Sequence, residues 1–287
     1  MWRAAGQDLA LVRLGRNQWW RYLAAVLVIV LFTEGLGALP YLWLARGGAL
    51  SGLHGFIALN FGALIELGGL AIAVVLIHRR SMLSLVTPQR RIDWRRAAQG
   101  FAVWFVLSAA SAVIESVLFP GRYRLTFTPD TFFIFAIVTL CLTPLQTATE
   151  ELLFRGYVMQ GLSLLVKRPI SIAVISSVIF MLPHLANPEV ARAPLLVPLQ
   201  YLMIGLLLAA VTLKDGRIEL AIGIHTANNI FNALIANYDD SVLTTEAIFT
   251  STLDPMYSLA ALPVASAAAY WILFRSRARP VRGEPTK

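Results

Sequence analysis

The chain has 287 residues, of which 57% are hydrophobic and 14% are charged. A soluble domain carries about 25% charged residues, so the composition excludes an ordinary soluble protein. The net charge is +8, and in a membrane protein such an excess usually reflects arginine-rich cytoplasmic loops. We therefore predict a polytopic protein that has the lipid bilayer as its partner and binds no nucleic acid.

Apolar stretches that approach the length of a membrane span occur along the whole chain. A transmembrane helix needs about 20 predominantly apolar residues. The pattern predicts an all-α polytopic membrane protein of about eight transmembrane helices. In chain order the stretches are Tyr22–Leu44, His54–Ile77, Ala97–Phe119, Thr131–Thr149, Ile170–His184, Leu195–Leu213, Ile218–Ala236 and Tyr257–Phe274.

Basic residues are distributed unevenly between the two sides of this bundle. Nineteen Lys and Arg fall on the side of the two termini, and four fall on the other side. Lys and Arg are enriched in cytoplasmic loops, so a multi-pass protein of the cell membrane with both termini in the cytoplasm is predicted. Its expected parts are a cytoplasmic segment 1–21, a transmembrane bundle 22–274 and a cytoplasmic tail 275–287.

The first of three polar clusters in the apolar stretches is Glu150-Glu151, followed by Arg155. An ionisable side chain at membrane depth costs on the order of 3 kcal/mol and is a functional hypothesis by default. Residues four positions apart share a helix face, so Glu151 and Arg155 are expected to pair. Glu150 is expected to point elsewhere, without a local partner.

The other two clusters lie in the fifth and seventh stretches. The fifth stretch ends with Phe180 and His184, and Pro183 is expected to kink or end the helix there. In the seventh stretch, His225, Asn229 and Asn232 follow the spacing i, i+4 and i+7. That spacing predicts one polar stripe along a single helix face.

Each cluster has an ordinary explanation when it is taken alone. These are an ion pair at a helix end, a satisfied core histidine, and asparagines that join transmembrane helices. Together, the carboxylates and imidazoles can activate a water, and the amides can donate to a developing oxyanion. This set of carboxylate, imidazole and amide side chains therefore favours hydrolysis of an amide without a covalent intermediate. The alternatives are a proton-coupled transporter and a non-catalytic membrane scaffold or immunity protein.

The order of the three polar clusters along the chain is also informative about function. The chain carries EExxxR at residues 150–155, FxxxH at 180–184 and HxxxN at 225–229. These motifs, each on its own predicted helix, resemble those of the CPBP intramembrane proteases, which include the type II CAAX prenyl endopeptidase and bacteriocin-processing proteins. The resemblance covers about residues 131–236. It implies a CAAX-protease-like bundle and an endopeptidase that acts on membrane-associated proteins or peptides.

The resemblance also implies roles for the motif residues. Glu150 would be the general base that activates water, with help from His184. His225 and Asn229 would form the oxyanion hole. Glu151, Arg155 and Phe180 would support these four side chains.

The expected hydrolysis can proceed with or without a metal ion. The resembling family has been described both as metalloproteases and as metal-independent glutamate-type proteases. The sequence has no HExxH motif, and HExxH is the usual zinc motif of proteases. No cofactor is therefore predicted. In the zinc-dependent alternative, Glu150, His184 and His225 would be the ligands.

The depths of the motifs in the membrane do not agree at first sight. At 1.5 Å per residue, Glu151 and His184 both lie about 25 Å from the turn at Lys167, whereas His225 lies only about 12 Å past Arg217. Either the hairpin of the fourth and fifth stretches extends beyond the bundle, or the seventh stretch begins deeper.

Cysteine labelling in intact cells tests the orientation. Residues 78–96 and the C-terminal tail are expected to be cytoplasmic, and residues 237–256 to lie outside, because Lys and Arg concentrate on one side. A cysteine at position 282 should therefore resist a membrane-impermeant reagent. Labelling of that position would contradict the orientation.

Overall fold

The computed structural model describes residues 5–47, 52–89, 91–239, 241–242 and 245–275. Almost all of the predicted tail 275–287 lies outside these ranges, as do the first four residues of the predicted segment 1–21. The predicted division of the chain at these two boundaries therefore stays a prediction.

Ten helices make up most of the described structure, and all eight predicted stretches are among them, which confirms the all-α fold. Some include π- or 3-10-helical turns. The helices are α1 Ala5–Ala10, α2 Trp19–Leu44, α3 Gly52–Ile77, α4 Leu83–Val86, α5 Trp94–Leu118, α6 Pro129–Leu162, α7 Pro169–His184, α8 Leu196–Asp215, α9 Glu219–Ile230 and α10 Pro255–Phe274.

Six of the eight helices in the predicted stretches are long and apolar enough to cross a membrane, which makes this a multi-pass membrane protein; they are α2, α3, α5, α6, α8 and α10. The other two are shorter. α7 has 16 residues, and α9 has 12 before it continues as a π-helical turn at Phe231–Ile235. The two short helices carry the FxxxH and HxxxN motifs.

α9 lies in the centre of the bundle, packed mainly against α5. Leu220, Ala221 and Ile224 are fully buried in a cluster with Trp104 of α5 and Leu208 of α8. The crossing is close because both helices carry glycine there. A β-carbon at Gly100 would overlap the carbonyl oxygen of Leu220, and one at Gly223 would overlap that of Ala97. A central helix surrounded by protein need not span the bilayer by itself.

α6 is longer than predicted, because it continues for 13 residues beyond the expected end at Thr149. The charged residues at 150–155 are accommodated within the helix rather than ending it. Leu152–Val158 form a π-helical segment, in which hydrogen bonds run from residue i to i+5. The carbonyl of Phe154 in this segment also accepts a hydrogen bond from Ser176 Oγ of α7 at 3.0 Å.

The start of α9 explains the apparent disagreement in depth. The backbone N–H of Ile218 donates to the carbonyl of Val86 at 3.0 Å. A β-carbon at Gly156 would lie 2.9 Å from the carbonyl oxygen of Leu85, beside Val86 in α4. α9 therefore begins near the level of Gly156, while the α6–α7 hairpin extends further.

The extended end of α6 is anchored by the segments before α2 and after α3. Tyr157 OH hydrogen-bonds with His78 Nε2 at 2.8 Å. Gln160 Oε1 accepts from Arg80 Nη1 at 2.6 Å, and Gln160 Nε2 donates to Asp8 at 3.3 Å. Burial raises the pKa of the Asp8 carboxyl to about 8. These bonds fix the polar end of the α6–α7 hairpin to the segments around it.

A small sheet joins the loops at the opposite end of α9. It was not predicted, because its strands have only two or three residues: β1 Arg124–Leu125, β2 Ala236–Tyr238 and β3 Phe249–Ser251. β3 lies in the middle, antiparallel to β1 and parallel to β2. The sheet connects the end of α9 to the loops that precede α6 and α10.

Candidate active site

A buried ion pair inside α6 is the first element of the candidate site. Arg155 Nη1 donates to Glu151 Oε1 at 2.9 Å, and both side chains are 0% exposed. The pairing predicted from the i, i+4 spacing is therefore present. Arg155 Nη2 also donates to the backbone carbonyl of Gly205 in α8, at 3.2 Å. The guanidinium thus connects α6 to α8.

His225 of α9 binds the same carboxylate oxygen. Its Nδ1 lies 2.8 Å from Glu151 Oε1, and because a carboxylate only accepts hydrogen bonds, Nδ1 carries the proton. The other nitrogen, Nε2, lies 3.7 Å from Glu150 Oε2. Glu151 therefore orients His225 so that Nε2 faces the neighbouring glutamate.

Glu150 does have a local partner, so the expectation that it lacks one is wrong. Gln146 Nε2, one turn earlier in α6, donates to Glu150 Oε1. The second oxygen, Oε2, is buried, and no side chain or backbone group in the described ranges hydrogen-bonds to it. The carboxylate is thus held through one oxygen, and the other oxygen faces His225.

His184 is oriented by its own helix and by two aromatic rings. Its Nδ1 lies 2.8 Å from the carbonyl oxygen of Phe180, so Nδ1 donates and Nε2 is the acceptor of the neutral ring. The imidazole lies 4.7 Å from the Phe180 ring and 4.5 Å from the Tyr201 ring, measured between centroids. α7 ends at His184, directly after Pro183.

Phe180 packs between the charged and imidazole groups of the site. Its centroid lies 4.3 Å from Arg155 Cζ and 5.9 Å from the His225 ring centroid. A cation over an aromatic face is attracted by the ring quadrupole. The supporting positions implied for Glu151, Arg155 and Phe180 thus correspond to direct contacts with one another or with His225 and His184.

Asn229 lies within a chain of amide side chains. Its Nδ2 donates to Gln146 Oε1 at 3.2 Å, and its Oδ1 accepts from Asn228 Nδ2 at 3.2 Å. Asn228 Oδ1 accepts in turn from Trp104 Nε1 of α5 at 3.3 Å. Gln146, Asn228 and Trp104 were not among the predicted site residues. The spacing of Gln146 four residues before Glu150 was the available signal for the first of them.

The four residues predicted to be catalytic all line one cavity of about 990 Å³. Its walls also include Glu34, Glu66 and much apolar surface from α2, α3 and α5. Ligand cavities are usually about 300–1,000 Å³, so this one can take a peptide segment with side chains. The polar residues around Glu150 that line it include Gln146, His184, His225, Asn228, Asn229 and Asn232, so the predicted Asn stripe faces the cavity.

The arrangement does not bring together the ligands of the zinc alternative. Among the described residues, no three His, Cys, Asp or Glu side chains are grouped as a metal ion requires. Glu150, His184 and His225, the conditional set, therefore do not form such a group, although all three line the cavity. A reaction without metal stays a prediction that only an assay tests.

The sequence of the central helices matches a known protein family. The family model described as Rce1-like, type II CAAX prenyl endopeptidase, matches residues 129–231, which contain all three motifs. The protein named "Uncharacterized protein YyaK" of Bacillus subtilis (strain 168) is 30% identical over 288 residues, covering 92% of this chain and 96% of the relative. No solved structure matches.

Replacement of Glu151 tests the importance of the buried pair for stability. Glu151→Gln leaves Arg155 charged and buried without a counter-ion, which costs about 3–5 kcal/mol. We expect a lower yield of folded protein and a lower unfolding temperature in detergent.

Asp239→Asn is the matched control, because it removes a pair with Arg124 whose side chains are 61% and 47% exposed. Such surface pairs contribute at most about 1 kcal/mol. If Glu151→Gln unfolded at the temperature of the control, the buried pair would not hold the site together.

Proposed function

Because the chain belongs to the Rce1-like family of type II CAAX prenyl endopeptidases, a family of membrane proteases, we propose that it is an intramembrane endopeptidase that hydrolyses peptide bonds of membrane-associated proteins or peptides. The observation that carries the proposal is the convergence of Glu150, His184, His225 and Asn229 on one cavity. The membrane is proposed to be the cell membrane, with both termini in the cytoplasm.

Glu150 is proposed to be the general base. Its Oε2 is free of hydrogen bonds from the described residues and can take a proton from a water as that water attacks the scissile carbonyl carbon. His184 has its acceptor Nε2 available, because Nδ1 is used by the Phe180 carbonyl, and it is proposed to hold the same water. When the tetrahedral intermediate collapses, Glu150 returns the proton to the leaving amine.

Asn229 and His225 are proposed to stabilise the oxyanion. One amide hydrogen of Asn229 is bound to Gln146, so the second is left to donate to the substrate oxygen. His225 Nδ1 is bound to Glu151, so Nε2 can donate only when the ring is an imidazolium.

Glu151 and Arg155 are proposed to act through His225 rather than on the substrate. Both are completely buried, and the cavity lining does not include them. Their function is to keep the imidazole in one orientation. The different proposed roles of Glu150 and Glu151 agree with the different surroundings of these two adjacent side chains.

Cleavage of a membrane-anchored peptide library in liposomes tests the mechanism. Glu150→Gln keeps the size of the side chain but removes the proton acceptor, so turnover should fall by roughly 10²–10⁴. Asn229→Ala removes one oxyanion donor and should cost on the order of 10²–10³.

Glu246→Gln makes the same chemical change in a loop, where Glu246 accepts from Thr131 at the surface, and should cut at the wild-type rate. A transporter or a scaffold would yield no cleavage product from any variant. The proposal fails if the wild type cuts nothing, or if Glu150→Gln cuts as fast as the control.

Chelation of the purified protein tests the metal-free mechanism. Activity should persist after treatment with a strong chelator, because the carboxylate and imidazoles are proposed to activate water without zinc. Loss of activity that zinc restores would replace this mechanism and would make Glu150, His184 and His225 the candidate ligands.

A further inference from the structure

Gln146 forms hydrogen bonds with both a proposed catalytic base and a proposed oxyanion donor. Its Nε2 donates to Glu150 Oε1, and its Oε1 accepts from Asn229 Nδ2 at 3.2 Å. The residue is 8% exposed and lies outside the three motifs. We propose that Gln146 is a positioning residue that fixes the base and the oxyanion donor relative to each other; this inference rests on the proposed function.

The direction of every hydrogen bond in this amide chain is determined by its two ends. An indole N–H can only donate, and an ionised carboxylate can only accept. Trp104 therefore requires Asn228 to accept through Oδ1, and Glu150 requires Gln146 to donate through Nε2. The two bonds between these ends then run in one direction, from Asn228 to Asn229 and from Asn229 to Gln146. No amide in the chain can rotate by 180° without breaking two bonds.

This fixed direction determines which atoms remain for the reaction. Gln146 occupies Oε1 of Glu150 and leaves Oε2, which faces His225. It also occupies one amide hydrogen of Asn229 and leaves the other. The proton acceptor on α6 and the oxyanion donor on α9 are thus linked through one side chain. A catalytic geometry that is held on helices by such bonds is more precise than one held on loops.

A purely structural role for Gln146 makes different predictions. Asn and Gln side chains can join transmembrane helices without any effect on catalysis, and Gln146 does join α6 to α9. In that case its loss would reduce the amount of folded protein, but the turnover of the folded fraction would stay unchanged. A positioning role requires lower turnover per folded molecule.

A double-mutant cycle on turnover separates the two roles. Rates are measured on the monodisperse fraction of the full-length protein, with the membrane-anchored peptide library as substrate. Gln146→Leu should lower kcat by roughly 10–100-fold, because small misplacements of reacting groups have effects of this size, and KM should change little. When Gln146→Leu is combined with Asn229→Ala, the fold-loss in kcat of the double mutant should be much smaller than the product of the two single fold-losses. The effects of coupled residues are not additive.

A second variant, Gln146→Glu, also separates a positioning role from a purely structural one. The new carboxylate can still accept from Asn229, so a bond that only joins the helices would survive. It cannot donate to Glu150 when ionised, and it places a like charge beside it. We expect Gln146→Glu to lose at least as much turnover as Gln146→Leu.

Thr139→Val is the matched control, because Thr139 is a fully buried polar residue of α6 that lies outside the cavity lining. It should leave kcat unchanged. If the wild type cuts and Gln146→Leu has the wild-type kcat, or if the two losses multiply in the double mutant, the inference fails while the proposed function stands. If the wild type cuts nothing, the proposed function fails, and the inference fails with it.

Discussion

A carboxylate that is buried among membrane helices needs cations or strong hydrogen-bond donors beside it. Glu151 meets this requirement with one oxygen, which accepts from Arg155 of its own helix and from His225 of α9. Arg155 in turn reaches the backbone of α8 and lies over the ring of Phe180 from α7. The Glu151–Arg155 pair of α6 thus contacts α7, α8 and α9, and the candidate site lies where these four helices meet.

The packing of the bundle explains how two short helices can contribute His184, His225 and Asn229 to the candidate site. α7 and α9 do not need to cover the thickness of a bilayer, because the longer helices around them do so. α9 in particular is buried along most of its length. Its polar residues therefore face protein and the cavity rather than lipid. A histidine and several asparagines can lie there without the cost that lipid exposure would impose.

Local spacing in the sequence predicted two features of the candidate site that each lie within one helix, but the bond from Gln146 to Glu150 within α6 was not predicted. The Glu151–Arg155 pair and the stripe of His225, Asn229 and Asn232 both follow from helix geometry. The same spacing rule applied to Gln146 predicts its bond to Glu150. The bonds between helices, such as Trp104 to Asn228, depend on which faces meet, and no periodicity in one stretch contains that information. The sheet strands were too short to produce an alternating pattern.

The π-helical segment Leu152–Val158 has a consequence for insertions and deletions. Such a segment contains one more residue than an α-helix needs to cover the same rise. Deletion of a single residue there would restore regular hydrogen bonding. Because the extra residue is taken up within the segment, Glu150 and Glu151 would keep nearly the same orientation relative to Tyr157 and Gln160 beyond it. A deletion in a regular α-helical part of α6 would instead rotate the two ends relative to each other by about 100°.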